Sequence, residues 1–214
     1  MGLFTKKLNN TASHTPLYTL GNHKTWLLVG LGNPGEEYQN TRHNIGFNTL
    51  DKFVESADGI NHWVNKKDLK SLVTTFMMED NKIFCIKPTT FMNESGQAVQ
   101  AVKSFYKYTN AQIIIIHDEL DIDFGTIKTG TGGGAAGHNG IKSVISHIGS
   151  DFNRIRIGIN SPHRVKNEEK DFVLKDFSKE EQTHFGELQK EITSILTESI
   201  FQKKVNTDTR KFIF

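Results

Sequence analysis

A single α/β domain, a twisted mixed β-sheet flanked by α-helices, is expected from three observations on this 214-residue chain. Strand-like and helix-like segments alternate from Trp26 onward. No Pro- or Ser-rich linker divides them. One pair of strands is joined by a turn far too short for a parallel crossover, so the sheet is mixed. The domain is assigned to residues 25–214. Residues 1–24 carry Lys6, Lys7 and Lys24 and no acidic residue, and read as a flexible extension; they lack the arginines and amphipathic period of an organellar import signal.

The elements follow in order. Trp26 to Leu31 is a short apolar strand, and after Arg42 a helix places Gly46, Leu50, Phe53, Val54 and Ala57 on one face. Leu72 to Met78 and Lys82 to Lys87 flank Glu79-Asp80-Asn81, a hairpin whose turn residues tolerate left-handed backbone. A second helix is expected to start at Asn93 or Ser95, both competent N-caps, and to bury Ala98, Val102, Phe105 and Tyr106. Gln112 to His117, with four isoleucines, is a strand covered on both faces that ends in His117-Asp118-Glu119-Leu120-Asp121. The glycine-rich stretch Gly130 to Gly140 leads into a helix through Ile141, Val144, Ile145 and Ile148. In Arg154-Ile155-Arg156-Ile157-Gly158-Ile159 the period of two puts both arginines on one face of a strand. Ser178 to Glu181 spells a capping box ahead of a long, surface-lying amphipathic helix through Phe185, Leu188, Ile192, Ile195 and Leu196.

Composition narrows the class. With 36% hydrophobic and 23% charged residues the chain can bury a good core, and a net charge of +2 is too mild to announce a nucleic-acid binder without local clustering. The lone Cys85 sits in an apolar run, as a buried reduced thiol would, and no disulfide can form within the chain. No apolar run approaches a membrane span and no secretory signal is evident, so a cytoplasmic, reducing setting is expected.

Gly30-Leu31-Gly32-Asn33-Pro34-Gly35 satisfies the dinucleotide fingerprint G-x-G-x-x-G. That fingerprint requires its glycines to open a helix and an acid to end the next strand. Here Pro34 and the polar run Glu36 to Asn44 delay the helix, and Asp51 lies inside a helical pattern. Three polar stretches are better explained as parts of a hydrolytic site: Asn33, Tyr38 and His43; Asn93; and Asp118 with Asn139. A histidine takes a proton from water near neutral pH, a carboxylate on its far nitrogen fixes the tautomer, and asparagines donate to an oxyanion. No activated serine or cysteine is evident, so water attacks directly. The nine histidines show no tight ligand spacing, and neither metal nor cofactor is expected.

At these residues the chain resembles bacterial-type peptidyl-tRNA hydrolase. Asn33-Pro34-Gly35 through Tyr38, Thr41-Arg42-His43-Asn44 with Gly46, Lys87-Pro88-Thr89-Thr90-Phe91-Met92-Asn93 with Ser95-Gly96, His117-Asp118-Glu119-Leu120-Asp121, Gly137-His138-Asn139-Gly140 and Arg154-Ile155-Arg156-Ile157-Gly158 recur in that order, covering Trp26 to the C-terminal helix. The resemblance implies a monomeric, cofactor-free enzyme that cleaves the ester between a peptide and the 3′ end of tRNA. It implies that His43 is the general base and Asp118 the carboxylate holding it. Asn33 matches a residue that helps reject unblocked aminoacyl-tRNA, and Tyr38, Phe91, Asn93 and Asn139 match positions lining the peptide and 3′-end cleft. For tRNA phosphates, including the acceptor stem, the candidates are Lys128, Lys142, Arg154 and Arg156.

His117, as the end of a core strand, and His138, as a loop support, are left outside the catalytic set, and Met92 is assigned to the core. Two departures from the family pattern stand out. Gly130 replaces a second basic residue, which puts one phosphate contact in doubt, and Ala136 replaces a glycine, which stiffens its loop. The alternative function is a noncatalytic RNA-binding relative, like the splicing cofactors plants have derived from this fold; retention of His43, Asp118, Asn33 and Asn93 argues against it.

Overall fold

A computed structural model describes residues 24–58, 62–162, 164 and 168–212. The expected extension, apart from Lys24, lies outside the described residues. Strand β1 (Lys24–Gly30) leads through two 3-10 turns into α1 (Ile45–Asp58). Then follow β2 (Val64–Lys66), β3 (Ser71–Met78), β4 (Asn81–Pro88) and α2 (Ser95–Tyr106), β5 (Ile113–Asp123), β6 (Thr126–Thr131), α3 (Asn139–Ile148) and β7 (Asn153–Asn160). The chain closes with α4 (Glu169–Val173), α5 (Lys179–Thr183), α6 (Phe185–Gln202) and β8 (Asp208–Lys211).

The strands form one mixed sheet of order β2-β3-β4-β1-β5-β7-β6-β8. β4, β1, β5 and β7 are parallel, and β3 and β6 run antiparallel to the members they join. Side chains alternate across the parallel strands. Leu28, Ile114 and Ile116 pack with Leu50 and Phe53 of α1 and Leu188 and Ile192 of α6, while Leu27, Val29, Ile113 and Ile115 pack with Val99 and Val102 of α2 and Ile141 and Val144 of α3. Both faces are covered, which is why the central strands read as unbroken apolar runs. β1 has β4 on one side and β5, which the chain reaches from β4 through α2, on the other. The carboxyl ends of β1 and β5 therefore bound a topological switch point, where open α/β sheets hold ligands.

The hairpin turns at Glu79, whose φ is 51°. Several elements differ from expectation. β5 runs on past His117, its expected end, through Asp118-Glu119-Leu120-Asp121 to Asp123, pairing with β7 as far as Glu119 and resuming at Asp123 after an irregularity. Ala57 is exposed, in a final turn outside the cluster that takes Phe53 and Val54. Phe105 is 64% exposed because the buried stripe of α2 runs through Ser95, Ala98, Val99 and Val102 and leaves it on the border. Neither Asn93 nor Ser95 caps α2. Ser95 is its first residue, and the Gly96 N–H donates to Ser143 Oγ of α3 at 3.0 Å, so a tertiary contact satisfies the helix end. The Ser178/Glu181 capping box is formed, but it starts the short α5, with α6 following after His184; the apolar face of α6 lies in the core. Cys85 is buried and free.

Candidate active site

The site is assembled at the switch point. At Gly30 a Cβ would come within 2.5 Å of the Gly46 carbonyl oxygen, and at Gly46 within 2.6 Å of that of Leu31. Glycine against glycine lets the start of α1 press on the end of β1, which brings the preceding 3-10 turn, Arg42–Asn44, over β5. Gly32 would meet the Phe47 ring and Gly35 has φ 117°. These glycines serve close packing and a turn, and the fingerprint they spell opens only a three-residue 3-10 turn, α1 starting at Ile45.

His43 Nδ1 lies 2.9 Å from both carboxylate oxygens of Asp118. An ionised carboxylate only accepts, so Nδ1 carries the proton and Nε2 is left as the acceptor. Burial opposes charge on His43, but the Asp118 carboxylate, by its field and its hydrogen bonds, raises the imidazole above its ordinary value. Asp118 is fully buried, which by itself would neutralise it. The charges of His43 and His138 and the hydrogen bonds from both hold it well below the usual carboxylate range.

His138, set aside from the sequence, belongs to this network. Its Nε2 is 2.9 Å from Asp118 Oδ1, and its Nδ1 accepts the Ile141 N–H at 3.2 Å as the N-cap of α3. The cap fixes the tautomer: Nδ1 faces a donor, so Nε2 holds the proton it gives to Asp118. His43, Asp118 and His138 lie within metal-ligand reach of one another. A metal on His138 Nε2 would force a proton onto Nδ1, against the Ile141 N–H, where ligand histidines need an acceptor. The donor set suits protons and does not suit a cation. His117 lies within β5 and not at its end; its Nδ1 is 2.6 Å from the Asp118 carbonyl oxygen, and burial, with His138 nearby, pushes its pKa well down.

Asn33 is tied at every backbone group. Asn44 Oδ1 accepts its N–H at 2.8 Å, and Asn44 Nδ2 donates to its carbonyl oxygen at 2.9 Å. Its own Oδ1 accepts the Met92 N–H at 2.8 Å, which commits the oxygen and turns Nδ2 out as a donor. Asn44 and the Met92 amide are the supports that sequence reasoning missed; the partners sit 11 and 59 residues from Asn33, beyond any local pattern. Met92 itself is buried. The next residues along, Phe91 and Asn93, are exposed, and Tyr38 meets Phe91 edge-on at 6.3 Å between centroids. His43 shares a cavity of about 240 Å³ with Glu119, His138, exposed Asn139 and Arg164.

The four basic candidates part company. Lys128 of β6 stands opposite Arg156 of β7, and Lys142 is exposed in the first turn of α3. Arg156 lines a second cavity, about 330 Å³, with the glycine-rich loop. Arg154 lines the same cavity but differs in exposure. It is 4% exposed, its Nη1 and Nη2 donate to the Gly134 and Gly133 carbonyls at 2.6 Å each, and its guanidinium lies over Phe152. The side chain is spent on holding the loop. Ala136, in that loop, has φ 44°, a left-handed conformation that favours glycine.

A family model described as Peptidyl-tRNA hydrolase matches residues 27–213. The Peptidyl-tRNA hydrolase of Aliarcobacter butzleri is 49% identical over 156 residues, 73% of this chain and 81% of that protein. That of Clostridium botulinum is 39% identical over 188 residues, 87% of this chain and 95% of its own length. The crystal structure of peptidyl-tRNA hydrolase from Acinetobacter baumannii superposes with a TM-score of 0.78 at 35% identity, covering 86% of this chain and 93% of that one. Among the described residues no helix is long and apolar enough to cross a membrane.

Proposed function

The chain belongs to the peptidyl-tRNA hydrolase family, and from that premise we propose that it hydrolyses peptidyl-tRNA with His43 as general base, Asp118 as its orienting carboxylate and water as nucleophile. The observation that carries this reading is the contact of both Asp118 oxygens with His43 Nδ1 at 2.9 Å, which leaves Nε2 free to take a proton. As His43 Nε2 removes a proton from water, the water oxygen attacks the ester carbonyl carbon and the carbonyl oxygen becomes an oxyanion. Collapse breaks the bond to the ribose 3′ oxygen, which takes the proton back from His43; a tRNA 3′ hydroxyl results, with a peptide carboxylic acid that loses its remaining proton to solvent and leaves as the carboxylate. Asn33 Nδ2 donates to the carbonyl region of the peptide.

In the same reading Tyr38, Phe91, Asn93 and Asn139 contact the peptide and the 3′ end, and Lys128, Lys142 and Arg156 meet tRNA phosphates. Arg154 contributes by shaping the loop. An unblocked aminoacyl-tRNA brings an ammonium among neutral amides, where its charge is poorly solvated. His138 donates to Asp118 Oδ1, the oxygen that His43 Nδ1 also contacts, so the carboxylate keeps one donor whichever way the catalytic proton moves.

The test is release of N-acetyl-aminoacyl groups from tRNA, with unblocked aminoacyl-tRNA as control. A loss of about 10²- to 10⁴-fold is expected for His43→Ala, the usual contribution of a general base. Absence of release by the wild type favours the noncatalytic RNA-binding alternative, and equal release by the variant removes His43 from its role.

A further inference from the structure

We infer that Glu119 is a specificity residue whose free carboxylate oxygen accepts a hydrogen bond from an uncharged donor, a hydroxyl or an amino group, on the 3′-terminal nucleotide of the substrate. The inference rests on the proposed function and goes beyond it. Glu119 is 5% exposed, and its Oε1 is shielded from solvent without a hydrogen-bond partner. A buried acceptor left without a donor is costly for the free protein. Two residues, Glu119 and Ala136, line both the cleft that holds His43 and the pocket that holds Arg156. Immediately after Glu119 the pairing of β5 with β7 becomes irregular, a local feature that re-aims side chains beside sites.

A substrate whose ester lies at His43 and whose phosphodiester lies near Arg156 must cross this shared wall. Between those two groups it offers a ribose and a base, hence the 2′ hydroxyl and an exocyclic amino group. The carboxylate repels a phosphate and favours an O–H or N–H, whereas Arg156 next to it does the reverse. Side by side, the two residues set which part of the nucleotide goes where.

The experiment measures kcat/KM of wild type and Glu119→Gln on three N-acetyl-aminoacyl-tRNAs, ending in adenosine, in 2′-deoxyadenosine, or in a purine riboside lacking the amino group. The wild type is expected to lose about 10- to 100-fold on one analogue, as for a hydrogen bond to a charged group. The analogue affected identifies the donor as the ribose hydroxyl or the base amine. Glu119→Gln should lose a similar factor on the intact substrate and little more on that analogue. Wild-type turnover of all three substrates alike overturns the inference alone, and does so whether or not the variant folds; so does a variant that falls by one common factor on all three. No wild-type turnover of the intact substrate removes the hydrolase reading and this inference together.

Discussion

At the residue scale, one carboxylate serves two imidazoles, and that arrangement sets a pH dependence. His43 is raised above 6.5 by Asp118, and in its proposed role it works as a base only when neutral. Activity therefore rises with pH through a value above the ordinary one for histidine. In Asp118→Asn the attraction is gone while the burial remains, so the acid limb of kcat/KM moves below 6.5, and turnover falls by about 10⁴-fold, as when a triad carboxylate is neutralised. A pH profile from 5 to 9 checks both. Stability carries the opposite signs for the two partners. The His43 contribution is fully present below about pH 6.5 and is lost as pH rises through its raised folded value. That of Asp118, whose folded value is depressed, is present above about pH 4 and is lost as pH falls toward that value. Asn33→Asp tests selectivity: it keeps the acceptor for the Met92 N–H but replaces the outward amide by a negative oxygen. The ratio of N-blocked to unblocked substrate turnover should fall about tenfold, read in parallel assays of the two tRNAs, because a carboxylate welcomes the ammonium by roughly the worth of one charged hydrogen bond.

At the scale of elements, two contacts anchor the loops that carry the site. Arg42, next to His43, is 3% exposed. It pairs with Glu181 Oε2 at 2.6 Å, donates to the Asp176 carbonyl oxygen and lies over Phe172 and Phe177. Glu181 is also the third residue of α5 and the acid of its capping box, so one carboxylate fastens both the helix start and the turn that holds His43. Arg42→Met leaves a buried charge without its partner and should cost about 3–5 kcal/mol in urea unfolding, part of which the Arg42→Met/Glu181→Leu double variant recovers. Ala136 in the left-handed region points the other way. Ala136→Gly relieves about 1–2 kcal/mol of backbone strain and adds back about 0.5–1 kcal/mol of chain entropy. A net rise in Tm of about 1–3 °C is expected by calorimetry.

At the scale of the whole molecule, the tRNA contacts proposed for Lys128, Lys142 and Arg156 can be counted from salt dependence. Removing Lys128, Lys142 or Arg156 should each lower the slope of log K against log salt for deacylated tRNA by about 1, and Gly130→Lys should raise it by about 1. Arg154→Met should leave the slope unchanged and lower Tm instead, since its guanidinium is bound to the loop carbonyls. Arg154 also marks how far a sequence can be read. Its alternation with isoleucines gave the strand and the face but not the commitment of its charge, because a pattern of types says nothing of where a guanidinium points. The same holds for His138, whose bond to Asp118 spans 20 residues, and for His43 and Asp118, 75 apart. By itself the sequence determined the succession of strands and helices, the doubly covered central strands, the hairpin and the order of motifs, since each is a matter of local period, turn chemistry and residue type. Only the tertiary structure decided that Asp118 is shared, that α2 is capped by a serine of α3 and that Glu119 keeps an oxygen unpaired. Those partners are chosen by how β1, β5 and their helices pack at the switch point, where residues distant in the chain meet within hydrogen-bonding distance.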